Sequence, residues 1–136
     1  MSRSFLETKE EGKRVEKLLL PFLETLHGTL LEQPENAQLD YKGKDCWVEI
    51  KGRDPKYTST DQYSLSGWMI GYNKIQRLLE SEQSVFIYYY FQGDKTLWLL
   101  TASKQQLETL KPFKNFQGKL TVKVPKPWFT EVKQAV

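Results

Sequence analysis

The sequence contains few of the residues that disulfide-rich and zinc-binding proteins require. It has one cysteine, Cys46, and one histidine, His27. A single cysteine excludes an internal disulfide, and one cysteine with one histidine gives no zinc-ligand spacing. We therefore expect Cys46 to be a small buried apolar residue and His27 to lie at a helix end or on the surface.

Long apolar runs and low-complexity tracts are also absent. Apolar runs such as VFIYYYF at 85–91 are far too short to cross a bilayer, and the amino terminus lacks the apolar core of a signal peptide. The 136 residues are 39% hydrophobic and 13% aromatic, which is typical of a folded chain and predicts a single domain over 1–136. We expect an intracellular, cytoplasmic protein with no membrane segment.

The charge of the chain is only mildly basic. A net charge of +3 does not by itself indicate a polyanionic partner. The excess lies toward the carboxyl terminus, because residues 101–136 contain seven lysines and two glutamates. Such a cluster is typical of a solvated surface, and it also suits contact with nucleic acid.

Hydrophobic periodicity predicts a mixed α/β domain with an antiparallel hairpin at its centre. A long polar segment at 53–67 is typical of a functional or disordered loop. The predicted elements, in order, are a helix over 4–26 with Pro21 as a place for a bend and Gly28 as its end, a strand over 28–33, a hairpin of 36–41 and 45–52, a helix over 72–81, strands over 84–92 and 96–102, a helix over 103–110, a strand over 119–124 and a closing turn over 125–132.

The predicted hairpin has one apolar face and one charged face. A turn at Gly43 and Lys44 places Asp40 opposite Trp47. Because side chains alternate between faces, Asp40, Glu49 and Lys51 then share one face. Asp40 and Glu49 become diagonal neighbours, with backbones about 7–8 Å apart, so both carboxylates can converge on one cation. The alternative is a solvated hairpin that carries an ordinary surface Glu–Lys pair.

The first helix contributes a third acid. Glu16 shares a helical stripe with Gly12, Leu19 and Leu23, so it faces the same side as core leucines. An ionised carboxylate that faces inward is costly unless a cation or a residue such as Lys51 pairs with it. In the alternative interpretation, Glu16 lies at the margin of the stripe and reaches water.

This arrangement resembles the PD-(D/E)xK nuclease superfamily, which includes restriction enzymes, Holliday junction resolvases, some homing endonucleases and phage nucleases. The resemblance rests on Asp40, a hairpin and then Glu49-Ile50-Lys51, after a helix that contains Gly12-x-x-x-Glu16. It covers about residues 8 to 91, and Leu39 stands where the family motif has proline. It implies an α/β, restriction-endonuclease-like fold in which helices flank a mixed β-sheet core.

The resemblance also implies roles for the residues of the motif. Asp40 and Glu49 would be metal ligands, Lys51 would orient the attacking water or stabilise charge, and Glu16 would be an accessory acid. Hydrolysis of a phosphodiester needs a hard cation with oxygen ligands, so we expect Mg²⁺, for which Mn²⁺ can substitute. The backbone carbonyl of Ile50 is a third candidate ligand.

These residues predict a Mg²⁺-dependent DNA endonuclease, either site-specific as in restriction and homing enzymes or specific for branched structures. RNA is an alternative substrate. A module that binds nucleic acid or assembles on this fold without cleaving, and a protein interaction domain, are alternative functions. One site cuts one strand at a time, so we expect a homodimer or a dimer of dimers.

Basic and aromatic residues downstream of the motif are candidate DNA contacts. Arg53 and Lys56 begin the polar segment, and Tyr72, Lys74 and Arg77 lie at the start of the next helix, where they can contact phosphates. A mobile polar loop and a solvated helix face are the alternative. Trp68 and the tyrosines at 88–90 lie in apolar runs, so we expect them in the core and not as base-stacking platforms.

Overall fold

Two β-sheets and three α-helices make up the part of the chain that the structure describes. The structure is a computed structural model, and it describes residues 5–35, 37–53, 55–60 and 67–134. The elements are α1 (Phe5–His27), β1 (Leu31–Glu32), β2 (Tyr41–Lys42), β3 (Cys46–Arg53), β4 (Trp68–Gly71), α2 (Tyr72–Glu80), β5 (Ser84–Phe91), β6 (Thr96–Leu100), α3 (Lys104–Glu108), β7 (Phe113–Lys114), β8 (Leu120–Val124), a 3-10 turn (Lys126–Trp128) and β9 (Phe129–Val132).

The larger sheet is mixed, as the sequence predicts for an α/β chain. Its strand order is β1-β2-β3-β5-β6-β9, with β3 and β5 parallel over eight residues and the other pairs antiparallel. The smaller sheet is antiparallel with the order β4-β8-β7. The prediction of an antiparallel hairpin at the centre is wrong, because the parallel pair β3–β5 occupies the middle of the sheet.

The larger sheet has an apolar core on each face. Strand β5 supplies both cores, since its successive side chains alternate between the faces. Tyr88 and Tyr90 pack with Val15, Leu19 and other α1 residues on one face. Ile87, Tyr89 and Phe91 pack on the other face with Trp68 and Ile75. The expectation that Trp68 and these tyrosines are core residues is confirmed.

Helix α1 lies across one face of the larger sheet. Leu19 and Leu23 are buried as predicted, whereas Leu18 and Leu26, which share the helical spacing, are exposed. Gly28 ends the helix with a positive φ of 78°, and its N–H donates to the carbonyl of Glu24 at 2.9 Å. This left-handed position after the last turn is the conformation that favours glycine.

The isolated cysteine and histidine lie where the sequence predicts. Cys46 is buried. His27 is the last residue of α1, and its Nε2 lies 2.6 Å from the hydroxyl of Tyr88. No helix within the described ranges is both long enough and apolar enough to span a membrane.

The hairpin of β2 and β3 differs in register from the prediction. Tyr41 pairs with Val48 and Lys42 with Trp47, and the N–H of Gly43 donates to the carbonyl of Cys46 at 2.9 Å. The chain therefore turns at Lys44 and Asp45, one residue later than predicted. The shift moves the pairing by two residues, so each side chain keeps its predicted face.

Candidate active site

The site forms at the part of strand β3 that has a neighbouring strand on one side only, among the residues that the structure describes. Strand β2 pairs with β3 only at Trp47 and Val48, whereas β3 continues to Arg53. Beyond Val48 no described strand covers the edge of β3 that faces β2, while its other edge pairs with β5. At this open edge, side chains from both faces of the sheet and from the segment before β2 can meet.

Asp40 takes the place of a missing backbone partner at the open edge. Its Oδ2 accepts a hydrogen bond from the N–H of Ile50 at 2.9 Å. The observed register carries Asp40 to the position opposite Glu49, and the two carboxyl groups hydrogen-bond to each other. The predicted diagonal relation is wrong, but the two acids are closer than it required.

Glu49 and Lys51 project from the same face of β3, as predicted. Glu49 lies in the interior of the sheet and is 8% exposed. Lys51, two residues nearer the end of β3, is exposed. Because Glu49 and Lys51 are two residues apart, they are neighbours on one face of β3, which therefore carries a carboxylate next to an ammonium.

Glu16 reaches the open edge from helix α1 on the opposite face of the sheet. It is 9% exposed, so the inward orientation is observed and the solvent-facing alternative is wrong. A close approach of α1 to β3 holds it there: a Cβ on Gly52 would lie 3.0 Å from Cγ1 of Val15. Glu16 also lies close to the side chain of Tyr41, which favours the charged form of the carboxylate and so acts to lower its pKa.

The crowding of these acids changes their protonation. Burial, followed by the negative charge of Asp40, raises the pKa of Glu49 to about 8 and that of Glu16 to about 7. Burial also raises the pKa of Asp40. Oε1 of Glu16 and Oε1 of Glu49 are buried, and neither has a hydrogen-bond partner among the described residues. The cluster therefore carries acceptor atoms and negative charge that its protein neighbours only partly satisfy.

Lys74 is the cation that pairs with Glu49, whereas the charge of Lys13 acts on Glu16. The Nζ of Lys74 lies 3.5 Å from Oε1 of Glu49, which is an ion pair too long for a strong hydrogen bond. The same ammonium donates to the carbonyl of Gln38. The sequence predicts Lys74 as a phosphate contact, with a solvated helix face as the alternative; in the structure its ammonium pairs with Glu49 of the carboxyl cluster.

Two cavities meet at Glu16. The larger, of about 370 Å³, lies between α1 and the end of β3 and is lined by Glu16, Glu49, Lys51 and Arg53 among others. The smaller, of about 180 Å³, is lined by Glu16, Asp40 and Lys13 among others. Glu16 therefore lines both cavities, together with Glu49 in the larger and Asp40 in the smaller.

The remaining predicted DNA contacts are dispersed. The guanidinium of Arg53 lies 4.7 Å from the ring centre of Tyr57 at the larger cavity, and the Nζ of Lys56 lies 5.2 Å from the same ring. Arg77 stacks on Trp47 at 5.4 Å. Tyr72 packs against the second core cluster. Arg53 is therefore the member of this predicted set that lines the larger cavity.

The donor set at the open edge fits a hard divalent cation. The described ranges contain no group of three His, Cys, Asp or Glu side chains that could hold a metal by themselves. Mg²⁺ is usually held by one or two carboxylates while keeping several waters, and Asp40 and Glu49 provide two. The carbonyl of Ile50 points to the same side of β3 as its N–H, which contacts Asp40. The buried Oε1 of Glu49 has no hydrogen-bond partner among the described residues, and the equally buried Oε1 of Glu16 is one further acceptor.

Three contributors to the site have no clear signal in the sequence. Tyr41 lies close to Glu16 although its position in the hairpin marks it only as an apolar-face residue. Gly52 provides the close approach of α1, and glycine at the end of a strand ordinarily indicates a turn. Lys74 meets Glu49 through a contact between residues distant in sequence, so a local pattern cannot reveal it.

Comparisons with protein-family models, with curated proteins and with solved structures give no match to the chain. Conclusions about its activity therefore rest on the residues at the open edge of β3 and on the chemistry that they support.

Proposed function

We propose that the protein is a metal-dependent nuclease that hydrolyses phosphodiester bonds of DNA, of the PD-(D/E)xK type and with a restriction-endonuclease-like fold. One observation carries the proposal: Glu16, Asp40 and Glu49 converge at the open edge of β3, and Lys51 lines a cavity shared with two of them. If Glu49 and Lys51 formed an ordinary surface pair, the carboxylate of Glu49 would be solvated. Glu49 is instead buried, and so is Glu16.

Asp40, Glu49 and the Ile50 carbonyl are the residues that would hold Mg²⁺ or Mn²⁺. Such an ion, when bound, supplies Lewis acidity toward the phosphate and lowers the pKa of a coordinated water. The protein contributes the fixed positions of the donors: the backbone N–H of Ile50 holds Asp40, and pairing with Ile87 of β5 fixes the backbone of Glu49. Since burial and the charge of Asp40 raise the pKa of Glu49 to about 8, that carboxyl holds a proton near neutral pH, and binding a cation there would release it.

Lys51 is placed to act on the phosphate or on the attacking water. Loss of solvent around its ammonium in the cavity lowers its pKa, and the positive charge of Arg53 lowers it further, although the side chain as a whole is exposed. A less strongly protonated amine exchanges a proton with a nucleophilic water more readily. In its charged form the same group stabilises the negative charge that develops on the phosphate oxygens.

Glu16 adds a third acid from the other face of the sheet. Its raised pKa and its buried Oε1 make it able to hold a proton or to accept one from a water in the larger cavity. We assign it a supporting role, because it contacts Tyr41 and lies on a different element from the Asp40–Glu49 pair.

The assembly follows from the number of sites. One chain presents one Asp-Glu-Lys cluster, so a coordinated cut of both strands would require two copies related by a two-fold axis. We propose a homodimer, or a dimer of dimers, as the form that cuts both strands.

The experiment is cleavage of labelled linear and branched DNA, with RNA of the same sequences as a separate arm, in Mg²⁺, Mn²⁺ or EDTA. Asp40→Asn, Glu49→Gln and Lys51→Ala should each lower the rate by at least about 100-fold. The exposed residues of α3 provide matched controls, Glu108→Gln and Lys104→Ala, which should cleave as the unmodified protein does. Metal-independent cleavage, or full activity in the three site variants, would refute the proposal. Binding of DNA without cleavage in any metal would instead favour the non-cleaving module.

A further inference from the structure

The hairpin between β7 and β8 carries an aromatic residue that nothing within the described structure accounts for. Phe116 lies at its tip and is 95% exposed. Phenylalanine is rarely left this open to water, because burying such a ring is favourable by about 2 kcal/mol. Phe113 and Leu120, at the base of the same hairpin, are also exposed but to a smaller degree.

The tip is a well-defined turn and not a loose loop. The N–H of Gly118 donates to the carbonyl of Asn115, and the N–H of Asn115 donates to the carbonyl of Lys119, each at 2.9 Å. Oδ1 of Asn115 accepts from the N–H of Gln117 at 2.9 Å and from that of Lys119 at 3.0 Å. Gly118 has a φ of 79°, as expected for the last residue of a three-residue hairpin loop.

None of these hydrogen bonds involves the side chain of Phe116. The turn depends on the side chain of Asn115, on backbone groups and on the left-handed conformation of Gly118. The second position of such a turn accepts most residue types. The hairpin therefore presents the ring at a fixed place, so binding would cost little ordering entropy.

The sequence on both sides of the ring is basic. From Thr109 to Thr130 the sequence contains five lysines and no acidic residue. Lys114 and Lys119 flank the turn and both are exposed. An exposed aromatic ring between lysines is the combination that binds the bases and phosphates of nucleic acid. The clustering favours nucleic acid over an apolar protein partner, for which a patch depleted in lysine would be expected.

The base of the hairpin lies beside the candidate active site. Thr121 of β8 pairs with Gly71, the residue that precedes α2. Three residues after Gly71 is Lys74, which pairs with Glu49. The positive charge of Lys119 also contributes to the electrostatic environment of Lys51. A nucleic acid held at the acids would therefore pass close to the hairpin.

We propose that the β7–β8 hairpin is a DNA-binding element whose Phe116 ring stacks on a base, inserting where the duplex is interrupted by a branch or an unpaired nucleotide. The choice of DNA as the nucleic acid rests on the proposed function. The hairpin adds the substrate class, which is a duplex interrupted by a branch or an unpaired nucleotide. At an interruption a base face is already open, so the ring does not have to separate a stacked pair. Lys114 and Lys119 hold the adjoining phosphates.

The test measures binding of the full chain in EDTA, so that it does not depend on cleavage. The probes are a three-way branched DNA with 2-aminopurine at the branch and a linear duplex of the same sequence. Phe116→Ala should weaken binding to the branched DNA by about 5- to 150-fold, and should abolish the change in 2-aminopurine fluorescence. The linear duplex should lose less affinity. Phe116→Trp should retain binding and the fluorescence change.

Leu31→Ala is the matched control, because Leu31 is also an exposed apolar residue, at 63%, but lies on β1 in the other sheet. It should bind both probes as the unmodified protein does. Affinity of Phe116→Ala for the branched DNA within two-fold of the unmodified protein, with the same fluorescence change, would overturn the proposal. If the unmodified protein cleaves no DNA while Phe116→Ala still loses branched-DNA binding, the proposed nuclease function fails and the hairpin proposal holds.

Discussion

Glu49→Gln should make the metal-free protein more stable at alkaline pH, although it removes a proposed metal ligand. The pKa of Glu49 is raised from 4.5 to about 8 by burial and by the charge of Asp40. Between these two values the folded protein binds more protons than the unfolded chain does. The free energy of unfolding therefore falls as the pH rises through this window. Glutamine has the same shape and no charge, so it avoids the loss.

The size of the effect follows from the same pKa. A rise from 4.5 to about 8 corresponds to at most about 5 kcal/mol of unfolding free energy lost above pH 8. We expect about half of that, because Asp40 and Glu49 titrate as a pair. Lys74, 3.5 Å from Glu49, also offsets part of the cost of the charge. Losing this ion pair costs the variant about 1 kcal/mol. The net gain at pH 8.5 should be about 1–2 kcal/mol, while at pH 5 the two proteins should be nearly equal.

The measurement is urea unfolding in EDTA at pH 5, 7 and 8.5, followed by tryptophan fluorescence. Glu108→Gln, at an exposed position on α3, is the control and should follow the unmodified protein at every pH. The reasoning is refuted if Glu49→Gln and the unmodified protein lose stability in parallel between pH 5 and pH 8.5. That result would mean that Glu49 has no unusual protonation in the folded state.

The remaining predictions concern the cation, the packing of α1 and binding to DNA. Mg²⁺ at ten times its Kd should raise the free energy of unfolding of the unmodified protein by about 1.4 kcal/mol at pH 8.5, measured by thermal unfolding. The same Mg²⁺ concentration should leave the stability of Asp40→Asn unchanged, and an equal gain in both proteins would contradict binding at Asp40. Gly52→Ala should cost about 1–3 kcal/mol and slow cleavage, because its Cβ would lie 3.0 Å from Val15. Gly12→Ala, with open space around its Cβ, is the control and should be neutral or stabilising. Affinity of the cleavage-inactive Asp40→Asn protein for DNA should fall steeply between 50 and 200 mM salt in a gel shift, and a constant affinity would exclude phosphate contacts by the lysines.

The faces of the hairpin could be predicted from the sequence, but its register could not. Side chains alternate with a period of two, so a shift of the pairing by two residues left Asp40 and Glu49 on the predicted face. Gly43 favoured the wrong turn because glycine is typical of hairpin loops. In the structure a Cβ on Gly43 would lie 2.8 Å from the Sγ of Cys46. The glycine therefore satisfies a packing requirement that becomes visible only when both strands are placed.

The elements that the sequence missed depend on distant partners. Strand β4 is four residues long and β7 only two, and both form by pairing with β8. Segments this short do not establish a periodic pattern of their own. Likewise the apolar run at 85–91 predicted the strand that is β5, but no local feature indicates that its neighbour is β3 in parallel. Such pairings are decided by the packing of the whole sheet.

The environment of Glu16 shows why the third acid could be proposed from the sequence but not placed. Its helical stripe correctly predicted that it faces inward, and an inward carboxylate on a purely apolar stripe would be a costly defect. What makes the position tolerable is that β2 begins only at Tyr41, which leaves the edge of β3 open beyond Val48 and lets Glu16 reach Tyr41 and the cavities there. The buried position of Glu16 therefore depends on the shortness of β2. A longer β2 would cover the edge of β3 with backbone hydrogen bonds and displace Asp40 from the N–H of Ile50. Glu16 would then be buried without the two cavities that it lines.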